Sequence, residues 1–299
     1  MNYYVWMLLS ALLCTALYGF AVRKTRRSVP LCLLTLVLGT VLGAVCAKLV
    51  YYLTQIDFMI ANGWLQSLVN PAPTEWCFFG GAAGVGVGAY LAAKLLKVKP
   101  AAALDAFAPA AALMVALSRF AAYFLQEEMI GLGEYMEDPA LCFFPLTVVN
   151  EWEEHYLAVF MLEGLAALIV AVLALTCFKQ KRFVRTVFYL CLPQIILESL
   201  HSDSISWLFV RVEQLLSMIT LAVVVLLYLL WSARSWKNWW PMLVCVACAG
   251  LFVGVEFALD KTSWPIPLIY GAMLLGLAVL AVTEIVTFRR VKATLAQKE

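Results

Sequence analysis

Residues 31–56 read LCLLTLVLGTVLGAVCAKLVYYLTQI, an apolar run with a single ionisable side chain of the charged classes, Lys48. A bilayer core about 30 Å thick is crossed by about 20 apolar residues rising 1.5 Å each, so this run reads as a transmembrane helix. Working outward, eight further runs approach the same length: Tyr3 to Val22, Cys77 to Leu96, Ala101 to Leu125, Tyr156 to Phe178, Val184 to Leu200, Leu215 to Ser232, Trp240 to Leu259 and Ile266 to Phe288. The run from Val184 is short and holds Pro193, Gln194 and Glu198. The pattern predicts an all-α, polytopic transmembrane helical bundle of about nine spans. The whole chain agrees: 299 residues are 64% hydrophobic and 13% charged, with a mean hydropathy of +0.90, where a soluble chain carries about a quarter charged residues. A cytosolic enzyme with a membrane tail is excluded, because no charge-rich tract is left to solvate one.

Positive charge sets the expected orientation. With the N-terminus outside, the clusters at Arg23–Arg27, Lys94–Lys99, Lys179–Arg185, Arg234–Lys237 and Arg289–Lys298 all face the cytoplasm, as cationic loops do. Of the 21 basic residues only Lys48, Arg119, Arg211 and Lys261 then remain for membrane depth or the outer side. Eight of the nineteen acids fall between Glu127 and Glu154, in the longest loop, which this orientation puts outside. The first run is not read as a cleavable signal, since the basic cluster follows it rather than preceding it.

Ionisable groups inside apolar spans carry the functional information, because each costs about 2.5–3.5 kcal/mol at a helix centre on the mildest scale. Arg119, Glu163 and Glu198 all fall toward the outer ends of their spans, with Lys48 at similar depth and Glu127 and Glu128 just above Arg119. Two readings are open: an ion pair that fixes the register of the bundle, or a polar site under the outer leaflet where a guanidinium fork holds a phosphate diester and a carboxylate orients a nucleophile. Lys48 either joins that group or snorkels outward. His201 follows Glu198 by about one turn and His155 begins the fifth span; each is a satisfied interfacial residue or a base, with an ordinary pKa of about 6.5.

Other features are less specific. Gly80, Gly81, Gly84, Gly86 and Gly88 have the small-xxx-small spacing of close helix contacts. Cys245 and Cys248 read as core thiols, Asp105 as a cap or hinge of the fourth span. Cys77 and Cys142 both fall in outer loops, a compartment compatible with a disulfide.

The order of these features resembles the bacterial prolipoprotein diacylglyceryl transferase family. The resemblance is carried by Phe79-Gly80-Gly81-Ala82-Ala83-Gly84, Leu104-Asp105-Ala106-Phe107-Ala108-Pro109, Ala116-Leu117-Ser118-Arg119-Phe120 with Glu127, Leu162-Glu163-Gly164, Ile196-Leu197-Glu198 and Glu213-Gln214-Leu215-Leu216-Ser217, and spans roughly Met1 to Trp231. It implies a seven-span inner-membrane transferase core over residues 1–232, with residues 233–299 as an additional C-terminal helix pair. It further implies transfer of a diacylglyceryl group from phosphatidylglycerol to the lipobox cysteine of a preprolipoprotein, in lipoprotein biosynthesis. On that resemblance Arg119, Glu127, Glu163, Glu198 and His201 are the expected catalytic group, and Lys48, Gly80, Gly81, Gln194 and Gln214 the expected lipid- and substrate-binding group. Phosphatidylglycerol, the lipobox segment and membrane lipids are the expected partners; no cofactor, metal or nucleic acid is expected.

The chain departs from the family pattern at several points. Phe79 stands where a His usually precedes the paired glycines, Ala122 where an asparagine follows the arginine, and Gln194 where a second arginine precedes the last glutamate by four residues. Glu153-Glu154-His155-Tyr156 replaces a His-Pro-Ser-Gln stretch, and His201 replaces an arginine. A catalytically degenerate paralogue that binds lipid or preprotein in the same cleft is therefore the alternative. A small-solute transporter fits less well, because the buried charges are biased to one side of the bilayer.

Overall fold

The computed structural model describes residues 2–25, 27–62, 74–150, 152–202, 204–207, 210–232 and 239–296. Eight helices among them are long and apolar enough to cross a membrane. These are α1 (Tyr3–Val22), α2 (Ser28–Thr54), α4 (Phe78–Leu95), α5 (Pro100–Phe120), α6 (Val159–Thr176), α8 (Val212–Trp231), α9 (Trp240–Lys261) and α10 (Ile266–Ala296). A short α3 (Ile56–Asn62) follows α2, and the run expected as the sixth span forms α7 (Arg182–Glu198), a 17-residue helix containing Pro193. Leu8, Leu12, Val37, Val41, Ile169 and Leu243 all point away from the protein. That exposure would be unfavourable in water, and it suits contact with lipid chains.

The chain forms two compact units. The first holds Met1–Thr186 and Leu200–Trp207. Its tightest contact is α2 against α4, and the cause is a glycine stripe. A Cβ on Gly88 would lie 2.6 Å from the backbone N of Gly39, one on Gly80 would lie 2.7 Å from the Cys46 carbonyl oxygen, and one on Gly84 would collide with the Leu42 carbonyl. Without a hydrophobic drive between helices in lipid, such close van der Waals contact is what joins them. On the other side α1 meets α5, where Trp6 Nε1 donates to the Leu117 carbonyl at 2.7 Å and Tyr18 packs edge-on to Phe107. Asp105 of α5 caps a different helix from the one expected: its Oδ1 accepts from the Phe183 backbone N at 2.9 Å, at the first turn of α7.

Between α5 and α6 the chain makes a small loop domain. The strands β1 (Thr147–Val149) and β2 (His155–Leu157) pair antiparallel, with Val148 opposite Tyr156. Asn150 closes their turn, its Oδ1 accepting from the backbone N of Trp152 and of Glu154. Tyr156 donates its hydroxyl to Glu154 at 3.1 Å, and that bond, with the adjacent carboxylate charge, holds the phenol above its ordinary pKa. Leu132, Val148, Ala158 and Phe160 form its core. Cys77 and Cys142 are both thiols.

The second unit holds Val187–Ser199 and Leu208–Glu299. Here α9 and α10 pack as a pair, with the buried ring of Phe252 filling the space over Gly276 and the Cys248 thiol donating to the Gly276 carbonyl at 3.8 Å. Cys245 and Cys248 are buried, in keeping with their reading as core residues.

Candidate functional site

α5 delivers Arg119 in its last turn, where a cation is stabilised by the helix dipole. Its neighbour Phe120 lays its ring directly on Gly164 of α6, a place where any Cβ would collide with that ring. This contact sets Arg119 opposite Glu163. The pair closes with Arg119 Nε 3.2 Å from Glu163 Oε2, while the guanidinium carbon lies 3.8 Å from the centroid of the Phe78 ring. The Glu163 side chain is 2% exposed, so its charge depends on partners rather than water.

The third member is His201, whose Nε2 lies 3.2 Å from the other oxygen of Glu163. Its backbone is braced on both sides by the loop domain. The Ser202 backbone N and hydroxyl both donate to the Leu132 carbonyl, at 2.9 and 2.8 Å, and the carbonyl of Leu200 fits against Gly133, where a Cβ would come within 2.6 Å. A buried carboxylate thus lies within ion-pair distance of both a guanidinium and an imidazole, a set of groups suited to anion binding combined with proton transfer.

The remaining expected residues are placed as follows. Lys48 Nζ forms an ion pair with Glu75 at 2.8 Å and lies 4.9 Å from the Trp76 ring centroid and about as near Tyr51 and Tyr52, at 5.6 and 5.5 Å. Gly80 lies in the α2–α4 contact, and a Cβ on Gly81 would meet only the Ala47 methyl and the Gly43 carbonyl, both at ordinary distance. Glu127 is in the 3-10 turn that continues α5; its side chain lies outside the described residues. His155 Nδ1 is 3.4 Å from the Thr147 hydroxyl.

Glu198, Gln194 and Gln214 belong to the second unit. There Gln194 Nε2 donates to Glu198 at 3.1 Å and to Glu213 at 3.4 Å. Gln214 Nε2 donates to the Ile195 carbonyl at 3.1 Å and to Glu256 Oε1 at 2.9 Å. Arg211 Nη1 donates to the Glu198 carbonyl at 2.6 Å, and its Nε is 3.7 Å from Glu256 Oε2. Deeper along the unit the fully buried Glu284 accepts from the hydroxyls of Tyr189 and Tyr228, at 3.0 and 3.2 Å. Glu256 and Glu284 fall outside the residues singled out from the sequence, although each carries the signal that marks Glu163, an acid inside an apolar run. The sequence marks Arg211 only as a cation remaining for membrane depth or the outer side.

A family model described as prolipoprotein diacylglyceryl transferase matches residues 1–231, ending at the last residue of α8. Glu256 and Glu284 lie beyond that match. No curated protein and no solved structure matches the chain.

Proposed function

The chain belongs to the prolipoprotein diacylglyceryl transferase family, and on that footing we propose that it moves the diacylglyceryl group of phosphatidylglycerol onto the lipobox cysteine of a preprolipoprotein. It is a multi-pass protein of the bacterial inner membrane, and its basic loops favour an outer N-terminus and a cytoplasmic C-terminus. In the reaction the cysteine sulfur bonds to the glycerol carbon that carried the phosphate ester. That carbon–oxygen bond breaks, and glycerol phosphate leaves with the electron pair. The thiol proton goes to a base, since the thiolate is the nucleophile.

The observation that carries this reading is the buried Glu163 carboxylate held 3.2 Å from both Arg119 and His201. Arg119 holds the phosphate and offsets the charge that grows on the leaving group. His201 takes the thiol proton, with Glu163 steadying the imidazolium that forms. Glu198 assists in proton handling, Glu127 orients the head group, and Lys48, Gly80, Gly81, Gln194 and Gln214 complete the lipid and substrate contacts. A second reading, a paralogue that binds lipid or preprotein without turnover, is favoured by the neutral Gln194 where the family carries an arginine.

The test is expression in cells depleted of their own transferase, followed by mass spectrometry of a lipobox peptide. A mass gain of one diacylglyceryl group, lost in Arg119→Ala, supports transfer. No gain from a correctly inserted protein overturns it and leaves the binding reading.

A further inference from the structure

The guanidinium of Arg119 meets two neighbours of different kinds. Glu163 Oε2 lies 3.2 Å from its Nε, and its carbon lies over the Phe78 ring, 3.8 Å from the centroid. The Arg119 side chain is 14% exposed, so both contacts act on a cation largely withdrawn from water, the setting in which a ring face attracts a cation most strongly. Phe78 is the first residue of α4, and the backbone on either side of it is fixed against α2. Before it, the Cys77 N–H donates to the Ala47 carbonyl at 3.3 Å; after it, Gly80 presses so close to the Cys46 carbonyl oxygen that a Cβ would come within 2.7 Å. The ring is thus carried by the α2–α4 contact, while the guanidinium is carried by α5. We infer that Phe78 is a positioning residue for Arg119, its ring being the fixed wall against which the guanidinium rests when it meets the phosphodiester of an anionic glycerophospholipid.

A ring and a carboxylate steady a cation in different ways. A second carboxylate would cancel the charge that Arg119 brings to a phosphate, whereas a ring attracts the cation through its quadrupole and carries no net charge. The guanidinium suits such a wall because it is planar and weakly hydrated, so stacking costs it little solvation; a compact ammonium would lose more. A side chain already held in place gives up less freedom when its ligand arrives. Phe78 therefore acts on lipid affinity through Arg119, and the glycine stripe that seats α4 on α2 becomes part of the support of the site.

This inference rests on the reading of Arg119 as the residue that holds the phosphate, and the two can fail separately. Purified full-length protein is titrated with phosphatidylglycerol in neutral detergent, with phosphatidylcholine as the control of no net charge. Phe78 is replaced in turn by phenylalanines bearing progressively more ring fluorines, which keep nearly the size of the ring, and so the fold, while weakening its quadrupole step by step. Phosphatidylglycerol affinity is expected to fall with each step, reaching about tenfold below the parent when the attraction is cancelled, and phosphatidylcholine binding should not change. A purely structural ring would not respond to fluorine in this graded way. Phe78→Leu should match the end of the series in the parent protein and have no further effect on top of Arg119→Ala, since the ring then has no cation to hold. Affinity that stays flat across the fluorine series, with binding lost in Arg119→Ala, overturns the inference and leaves the functional reading in place. Additive losses from Phe78→Leu and Arg119→Ala overturn the positioning role. Unchanged binding in Arg119→Ala overturns the reading of Arg119 itself, and the inference with it.

Discussion

Glu163 Oε1 stands 3.2 Å from His201 Nε2, and the opposite oxygen of the same carboxylate stands 3.2 Å from Arg119 Nε. One buried acid therefore stands within ion-pair distance of both the imidazole and the guanidinium. Glu163→Gln preserves the shape and removes the charge. It is expected to lower diacylglyceryl transfer by about 100-fold or more, the range of general acid–base contributions, with the protein still inserted and monodisperse. Peptide mass gain over time checks it; a rate within about twofold of the parent, far short of an acid–base contribution, contradicts the bridging role.

Arg119→Ala removes from that carboxylate a cation that stays charged at any working pH. A charge-assisted hydrogen bond contributes about 1.5–3 kcal/mol, so phosphatidylglycerol affinity should drop by about an order of magnitude or more, with phosphatidylcholine unaffected. Titration of both lipids in detergent measures the difference.

Ser202 connects the loop domain to His201 through two hydrogen bonds to the Leu132 carbonyl. Ser202→Ala deletes one of them. The loss of about 1 kcal/mol should appear as a roughly fivefold fall in transfer rate with lipid affinity retained. Equal losses in rate and affinity would show that the brace acts on binding instead.

The glycine stripe gives a stability prediction with its own control. Gly88→Leu forces apart α2 and α4 where a Cβ would already be 2.6 Å from Gly39 N, and overpacking of this kind costs about 1–3 kcal/mol. Gly250→Leu on α9 meets nothing within 4 Å and should be neutral. Thermal unfolding in detergent separates the two variants.

The spans are legible in the sequence because hydropathy reports contact with lipid, and most of each helix surface has that contact. Arg119 and Glu163 are legible for a related reason: a charge inside such a run demands an explanation before any partner is known. The partnership of Glu163 with His201 is not legible, since it depends on a loop about 70 residues away in sequence folding so that Leu132 and Gly133 meet residues 200–202. Asp105 shows the same gap, being recognisable as a helix cap but not as the cap of α7. Arg211 precedes its helix and Glu256 belongs to a helix beyond the resemblance, so no local pattern links them.

The boundary at Trp231, where the family match ends, is not a boundary of the polar interior. Glu284 takes the hydroxyls of Tyr189 and Tyr228, and Glu256 takes the amide of Gln214, so each of the last two helices accepts from donors rooted in the matched residues. A chain trimmed at that boundary would keep the matched residues and lose the two carboxylates that these phenols and this amide meet. The polar contacts of the second unit therefore run through the matched residues and the last two helices alike.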